Sequence, residues 1–199
     1  MKVLLRTFGC RANHYDAEQV RALLVRAGAQ VVDESPEVAV LTSCAVTADA
    51  EADLRQAVRR LAREHPSMRV IVTGCAAARS GEQISALPNV TAVIPGADLA
   101  ATAAAVGLPP TTVAHATRAR ASRQSTARAT LRVQDGCDEH CTFCATTLAR
   151  GAHRSRPVAA LVEEAEALSA HHAEIVLTGV HVGSWGAEEG RTLGSLVRA

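Results

Sequence analysis

Residues 38–44 have the sequence VAVLTSC, a mainly apolar, strand-like run that is followed by a cysteine. The same pattern occurs at residues 3–10 (VLLRTFGC) and at residues 70–75 (VIVTGC). Short apolar runs without alternation are typical of strands that are buried on both faces, as in parallel sheets. If the three runs are neighbouring parallel strands, their closing cysteines project from one edge of the sheet.

Helical patterns separate these runs, so strands and helices alternate along the first hundred residues. A fourth strand is predicted at residues 91–94, and the predicted helices are 13–27, 48–64, 82–87 and 97–106. A β-α-β-α order gives a parallel sheet covered by helices. We therefore expect an α/β fold whose N-terminal part is an open parallel sheet with flanking helices.

The alternation breaks at the turn-forming sequence GLPP, residues 107–110, and this break defines three regions. We expect an N-terminal domain at residues 1–106, a linker at 107–128 and the start of a second domain at 129–199. The second domain is predicted to hold a strand from 129, a helix at 157–170, a strand at 174–178 and the opening of another helix. Because these elements cannot close a sheet or barrel, the second domain is expected to be incomplete.

The composition limits the class of protein. Of 199 residues, 48% are apolar but only 2% are aromatic, and the net charge is +1. No run approaches the roughly 18 apolar residues of a membrane-spanning helix, and Arg6 follows the start too soon for a signal peptide. We expect a cytoplasmic protein with no membrane association. Thiols stay reduced there, so clustered cysteines favour metal binding over the alternative of three disulfides.

Basic residues lie in two segments without Asp or Glu, residues 99–134 and residues 140–162. Such segments can hold phosphate groups, or they can be solvated linkers. The arginines that they contain are Arg118, Arg120, Arg123, Arg128, Arg132, Arg150, Arg154 and Arg156.

The six cysteines form two sets of three. Residues 137–144 (CDEHCTFC) carry Cys137, Cys141 and Cys144 in a C-x3-C-x2-C spacing just after a predicted strand. Three closely spaced thiolates can hold three irons of an iron–sulfur cluster and leave the fourth iron open to a reactant. The alternative is a zinc site completed by His140 or His153.

The dispersed set consists of Cys10, Cys44 and Cys75. A single buried cysteine is more often a small hydrophobic residue than a ligand. Their shared position after three successive strands favours ligation, because open α/β sheets bind ligands beyond the carboxyl ends of their strands. Gly9 and Gly74 would let the backbone approach a bulky cluster.

The local triplet resembles that of the radical S-adenosylmethionine superfamily, and further motifs resemble the methylthiotransferase family within it. They cover nearly the whole chain outside the linker and are TFGCRAN (7–13), LTSCAVT (41–47), TGCAA (73–77), QDGC (134–137), ARG (149–151) and RSRP (154–157). The resemblance implies that the second domain begins a partial (β/α) barrel. Ser43 departs from the family pattern, which commonly has Asn, and Ala145-Thr146-Thr147 stands where Ile-Ile-Pro is common.

The resemblance also implies the cofactors and the chemistry. Cys137, Cys141 and Cys144 would hold a [4Fe–4S] cluster that cleaves S-adenosylmethionine to a 5′-deoxyadenosyl radical. Cys10, Cys44 and Cys75 would hold an auxiliary [4Fe–4S] cluster that carries the sulfur to be inserted. Phe143 and Gly179 would contact S-adenosylmethionine. The family completes its barrel and adds an RNA-gripping domain beyond the length seen here, so we expect this chain alone to be inactive.

Residues 177–186 (LTGVHVGSWG) are similar to the branch that acts at C2 of N6-threonylcarbamoyladenosine, next to the anticodon of tRNA. The alternatives are another tRNA adenosine, a ribosomal protein, or a non-catalytic iron–sulfur or zinc protein. The implied partners are tRNA and an electron donor such as flavodoxin or ferredoxin. His181 is a loop histidine or a catalytic one. His14 and Asp16, close to Cys10, are either partners of its site or solvated residues at a helix start.

Overall fold

The computed structural model describes residues 1–45, 47–109, 123–139, 141–142, 144 and 146–199. Its first half is a parallel sheet with helices on both faces, as the sequence predicts, and it has five strands rather than the four predicted, because the short strand Gln30–Val31 was missed. The strands lie in the order β2-β1-β3-β4-β5. In chain order the elements are β1 (Lys2–Phe8), α1 (Arg11–Arg26), β2 (Gln30–Val31), β3 (Val38–Ser43), α2 (Ala48–Glu64), β4 (Arg69–Gly74), α3 (Cys75–Ser85), β5 (Val90–Pro95) and α4 (Leu99–Val106).

The three strands that precede the dispersed cysteines are neighbours and end level with one another. Phe8 is paired with Ser43, and Ser43 is paired with Gly74, in parallel register. The carboxyl ends of β1, β3 and β4 therefore form one edge of the sheet, as expected from the sequence.

Each face of the sheet is covered by two helices. One layer consists of apolar side chains from α2 and α3 packed on the sheet, and the other consists of side chains from α1 and α4. Every residue of β3 is buried, because this central strand has a helical layer on both sides. This explains why its sequence is continuously apolar rather than alternating.

Helix boundaries follow local capping chemistry. α2 begins after Thr47, whose side chain accepts a hydrogen bond from the N–H of Ala50 at 3.3 Å. By contrast, α3 begins at Cys75 itself, whereas the sequence pattern predicts a helix only from residue 82. The prediction starts too late because the helix is kinked at Ser80, where φ is −122° and ψ is 30°, and this kink interrupts the periodicity.

The second half contains a parallel strand–helix–strand unit. β6 pairs in parallel with β9, and a small core around the fully buried Trp185 joins them to the intervening helix. Two short features escape the sequence pattern, the antiparallel β7–β8 pair and helix α5. The elements are β6 (Ala129–Arg132), β7 (Gln134–Asp135), α5 (Thr146–Arg150), β8 (Arg154–Ser155), α6 (Val158–Ser169), β9 (Ile175–Thr178) and α7 (Leu193–Arg198).

The predicted linker, residues 107–128, lies partly outside the described residues. Its last part is packed rather than extended: the Gln124 side chain is buried, donates to the Thr130 carbonyl at 2.7 Å and accepts from the Thr130 N–H at 2.8 Å. No helix in the described part of the chain combines the length and apolar character that crossing a membrane requires.

Candidate functional site

The structure brings the dispersed cysteines Cys10, Cys44 and Cys75 to one cavity of about 440 Å³ at the carboxyl edge of the sheet. Cys44 and Cys75 are only 2% and 3% exposed, whereas Cys10 faces solvent. Residues of the second half also line this cavity, among them Thr146, Arg150 and Gly179. The cavity is therefore enclosed by both halves of the chain.

Two glycines allow the strand ends to come this close. Gly9 has φ +121°, and a Cβ on it would lie 2.2 Å from Cβ of Cys44. Gly74 has φ +95°, and a Cβ there would lie 2.6 Å from the Ser43 carbonyl oxygen. Both the left-handed backbone and the close contact require glycine. From the sequence, these glycines were expected to let the backbone approach a cluster. The structure shows a second reason, which is that neighbouring strand ends are in close contact at both positions.

Two of the dispersed thiols, those of Cys10 and Cys75, favour the protonated state in this structure. A hydrogen bond with Cys44 and burial raise the pKa of Cys10. Burial raises the pKa of Cys75, while the charge of the Arg150 guanidinium and its hydrogen bond oppose this rise. Because metals bind the thiolate, a cation or cluster at this site would displace protons.

A buried amide lies directly beside Cys75. Asn13 is fully buried, and its Oδ1 lies 3.8 Å from Sγ of Cys75 and accepts a hydrogen bond from Nη2 of Arg150 at 2.7 Å. Its Nδ2 has no hydrogen-bond partner among the described residues. Such a donor suits a sulfur-rich ligand, because hydrogen bonds to cluster sulfur are a usual feature of iron–sulfur sites.

The residues of this edge thus fit an iron–sulfur cluster. Three thiols border one cavity, one N–H donor is left over, and glycine backbone lies at the ends of two strands. Thiolate is the protein ligand that such clusters select. Within the described ranges, no three His, Cys, Asp or Glu side chains form a group that could hold a single metal ion.

The local triplet lies in the loop between β7 and α5. Cys141 is exposed, and Cys137 and Cys144 are half-buried. The N–H of Cys137 donates to the Gly151 carbonyl at 3.1 Å, which joins the start of this loop to the residue that follows α5. His140 and Phe143, the predicted S-adenosylmethionine contact, lie outside the described residues.

Thr146, which departs from the family pattern, forms hydrogen bonds with Cys144 of this triplet. Hydrogen bonds from the Thr146 hydroxyl, with Oγ1 3.1 Å from Sγ, and from its backbone N–H at 3.5 Å lower the pKa of Cys144. Thr146 also lines the cavity of the dispersed cysteines. One residue therefore contacts Cys144 and also borders the cavity of the dispersed cysteines, which makes the two candidate sites neighbours.

Gln134 is a site residue that the sequence analysis missed. Its buried Nε2 donates to the Gly136 carbonyl at 2.6 Å, and its Oε1 accepts from the N–H groups of Val180 and His181 at 3.0 and 2.8 Å. It thereby joins the loop before the triplet to the loop after β9. Gly179 packs against it, since a Cβ there would lie 2.9 Å from the Gln134 carbonyl oxygen. The sequence analysis included Gln134 in the motif QDGC but assigned it no role.

The histidines and acids singled out in the sequence occupy different environments. His14 and His181 are exposed, whereas Asp16 is buried and ion-paired with Arg150 at 2.8 Å. His153 contacts Gln134 at 2.9 Å through Nδ1 and Glu188 at 3.1 Å through Nε2. It would have to give up one of these contacts to complete a zinc site.

The structure corrects the interpretation of the basic segments. Arg118 and Arg120 lie outside the described residues, and Arg128 is exposed. In contrast, three of these arginines, for which phosphate binding and a solvated linker were both left open, are used inside the protein, because acidic side chains of α1, α6 and β7 reach them. The pairs are Arg132 with Asp16 and Asp135, Arg150 with the same two carboxylates, and Arg156 with Glu164.

This fold and these thiols define a class, an α/β protein with a thiolate site assembled at the carboxyl edge of a parallel sheet and a second cysteine triplet beside it. Residues 2–96 match the family described as "Uncharacterized protein family UPF0004". Similar proteins match over almost the whole chain, and the relatives at 31–34% identity are named as tRNA methylthiotransferases.

Three relatives illustrate the likeness. The threonylcarbamoyladenosine tRNA methylthiotransferase of Bacillus subtilis (strain 168) is 34% identical over 92% of this chain and 44% of its own length. The protein of the same name from Thermotoga maritima is 31% identical over 98% of this chain and 48% of its own length. The tRNA-2-methylthio-N(6)-dimethylallyladenosine synthase of Novosphingobium aromaticivorans is 34% identical over 96% of this chain and 47% of its own length. The chain spans about half the length of these relatives.

We expect Gly9→Ala to destabilise the protein more than Gly28→Ala. Gly28 also has a left-handed backbone, but a Cβ there meets nothing within 4 Å. Left-handed strain costs each variant about 1–2 kcal/mol. The contact with Cys44 adds about 1–3 kcal/mol for Gly9→Ala alone. Urea denaturation measures both losses, and equal losses would contradict the close approach of the strand ends.

We expect the stability that Glu188 contributes to disappear in acid. Hydrogen bonds from its own backbone N–H, from Ser155 and from His153 lower its pKa from 4.5 to about 2. A lowered pKa stabilises the fold above pH 4.5, and this stability is lost as the pH falls towards 2. Glu188→Gln should therefore be less stable than the native chain at pH 7 but not near pH 2.

Thermal denaturation across this pH range measures the difference. Glu189→Gln is the control for the loss of one exposed negative charge. A deficit in Glu188→Gln that stays constant down to pH 2 would show that these hydrogen bonds do not depend on the carboxylate.

Proposed function

We propose that this chain belongs to a tRNA methylthiotransferase that inserts a methylthio group at C2 of N6-threonylcarbamoyladenosine, adjacent to the anticodon, by radical S-adenosylmethionine chemistry. The observation that carries the proposal is the position of Thr146, which lines the cavity of Cys10, Cys44 and Cys75 and hydrogen bonds to Cys144. Sulfur insertion at a radical carbon needs a radical source and a sulfur source close together, and two adjacent thiol sites meet that need.

The division of roles follows the two sets of cysteines. Cys137, Cys141 and Cys144 would hold the [4Fe–4S] cluster that binds S-adenosylmethionine, and Cys10, Cys44 and Cys75 would hold the auxiliary [4Fe–4S] cluster. When bound, these groups supply the electron for S-adenosylmethionine cleavage and the sulfur for transfer. The protein binds them by thiolate, keeps Cys44 and Cys75 out of water and positions the two sites with buried polar contacts.

Substrate choice rests on residues 177–186, which resemble the threonylcarbamoyladenosine branch. In support, several similar proteins carry the name threonylcarbamoyladenosine tRNA methylthiotransferase. The second candidate is a dimethylallyladenosine substrate, because the Novosphingobium protein is 34% identical as well. The remaining alternatives are a ribosomal-protein substrate and a non-catalytic cluster or zinc protein. Comparing tRNAs that carry each modified adenosine as substrates separates the two RNA candidates.

Partners and location follow from the same proposal. The substrate is tRNA, and the cluster bound by the local triplet needs a low-potential electron donor such as flavodoxin or ferredoxin. Both belong to the cytoplasm, where we place the protein.

We expect about eight irons and eight sulfides per chain after anaerobic reconstitution, because two sets of three thiolates each hold a four-iron cluster. Cys44→Ala and Cys141→Ala should each retain about half of this iron. Thr142→Ala is the matched control, since Thr142 is an exposed residue of the same loop. Iron and sulfide analysis decides the outcome: zinc without sulfide would support the non-catalytic alternative.

We expect the two sets to be separable by activity in a protein that spans the full length of its relatives. Cys141→Ala should abolish reductive cleavage of S-adenosylmethionine, because that cluster supplies the electron. Cys44→Ala should leave cleavage intact and stop methylthio insertion. Release of 5′-deoxyadenosine and mass spectrometry of digested tRNA measure the two steps. Methylthiolation by the Cys44 variant would refute this division of roles.

A further inference from the structure

Arg150 is close in sequence to the local triplet, but its side chain lies at the cavity of the dispersed cysteines. It is the last residue of α5, the helix that follows Cys144. Its side chain is only 5% exposed and lines the cavity of the dispersed cysteines. The Asn13 side-chain oxygen that it contacts lies 3.8 Å from Sγ of Cys75. The residue therefore crosses from the local triplet to the dispersed site.

Three oxygen atoms hold the guanidinium in place. Nη2 donates to Oδ1 of Asn13 at 2.7 Å and to Oδ2 of Asp16 at 2.8 Å, and Nη1 donates to Oδ1 of Asp135 at 3.0 Å. Several donors in a rigid planar fork are a property of arginine that lysine lacks. These contacts fix both the position and the orientation of the charge.

Each acceptor is close in sequence to a cysteine. Asn13 and Asp16 lie in the first turns of α1, the helix whose N-cap residue is Cys10. Asp135 lies two residues before Cys137. Arg150 thus ties the helix that begins at the dispersed site to both ends of the loop that carries the local triplet.

Arg150 belongs to a group of two arginines and two carboxylates, and within this group it is the side chain that lines the cavity of Cys75. Asp16 is shared with Arg132, and Asp135 also pairs with Arg132 at 3.2 Å. Two carboxylates therefore balance two arginines, and Arg150 is the one placed against Cys75. If Arg150 were removed, Asp16 and Asp135 would keep Arg132 as their partner, and the surroundings of Cys75 would lose one positive charge.

We propose that Arg150 is a positioning residue that holds the Cys75 corner of the dispersed site against the local triplet and stabilises added negative charge on a cluster bound there. This inference rests on the proposed function, because it requires a cluster at Cys10, Cys44 and Cys75. A cluster gains negative charge when it is reduced, so a fixed positive charge beside its ligand raises its midpoint potential.

The test uses the 199-residue chain with Cys141→Ala, so that only the dispersed site holds a complete cluster. The midpoint potential of this cluster is measured by redox titration with electron paramagnetic resonance detection. Arg150→Met should shift the potential to a more negative value, and Arg150→Lys should recover part of the shift. Arg154→Met is the matched control, because Arg154 is exposed and approaches the same Asp135 at 3.8 Å. Its potential should equal that of the parent.

The outcomes separate this inference from the proposed function. If the parent assembles the cluster and Arg150→Met has the same midpoint potential, the proposed role of Arg150 is wrong and the proposed function is unaffected. A parent that assembles no cluster on Cys10, Cys44 and Cys75 overturns the proposed function and this inference with it. If Arg150→Met does not fold, Arg150→Gln takes its place, since it removes the charge and retains a donor for Asn13.

Discussion

The candidate site depends on the parallel register of three neighbouring strands. Because β1, β3 and β4 end level with one another, residues far apart in the chain are delivered to the same place. A shift of one residue in this register would turn the side chains of a strand to the opposite face and move its end along the edge. The buried helical layers on both faces oppose such a shift, so the hydrophobic core of the sheet also maintains the position of the thiols.

Helix α1 is the second element on which the site depends, because it connects the two halves of the chain through buried polar groups. Tyr15 is fully buried and donates to Glu164 at 3.0 Å, while Arg156 donates to the Tyr15 hydroxyl at 3.1 Å. Arg132 lies over the Tyr15 ring at 4.9 Å from its centroid. Buried groups of this kind are costly to separate, because each would lose its partner.

The sheet and the dispersed cysteines could be predicted because their signals are local. The helix predicted at residues 48–64 matches α2, whose start has a side-chain cap at Thr47 and whose apolar residues repeat with helical spacing. The apolar runs that end in cysteine identify the strands, and the rules for parallel sheets place the ends of those strands together. Local pattern and general topology were sufficient for this part.

The polar contacts could not be predicted, because they join residues that no periodicity relates. Asn13 and Arg150 are 137 positions apart, and an arginine in the sequence does not indicate whether it faces solvent or a carboxylate. The sequence therefore left open whether the paired arginines hold phosphate or belong to a solvated linker, and neither alternative included an internal ion pair. The two-residue strands β7 and β8 are too short for a repeating pattern, so no sequence signal indicated the loop geometry around the local triplet.

The buried contacts of α1 bear on how this protein family can be recombined. An exchange of gene segments at the predicted linker would take Tyr15 and Asp16 from one parent and Arg132, Arg150 and Arg156 from the other. A chimaera would keep all six cysteines yet bring together two interior surfaces that did not evolve as partners. Helix α1 and the segment from β6 to α6 therefore form one inherited unit, although they are far apart along the chain.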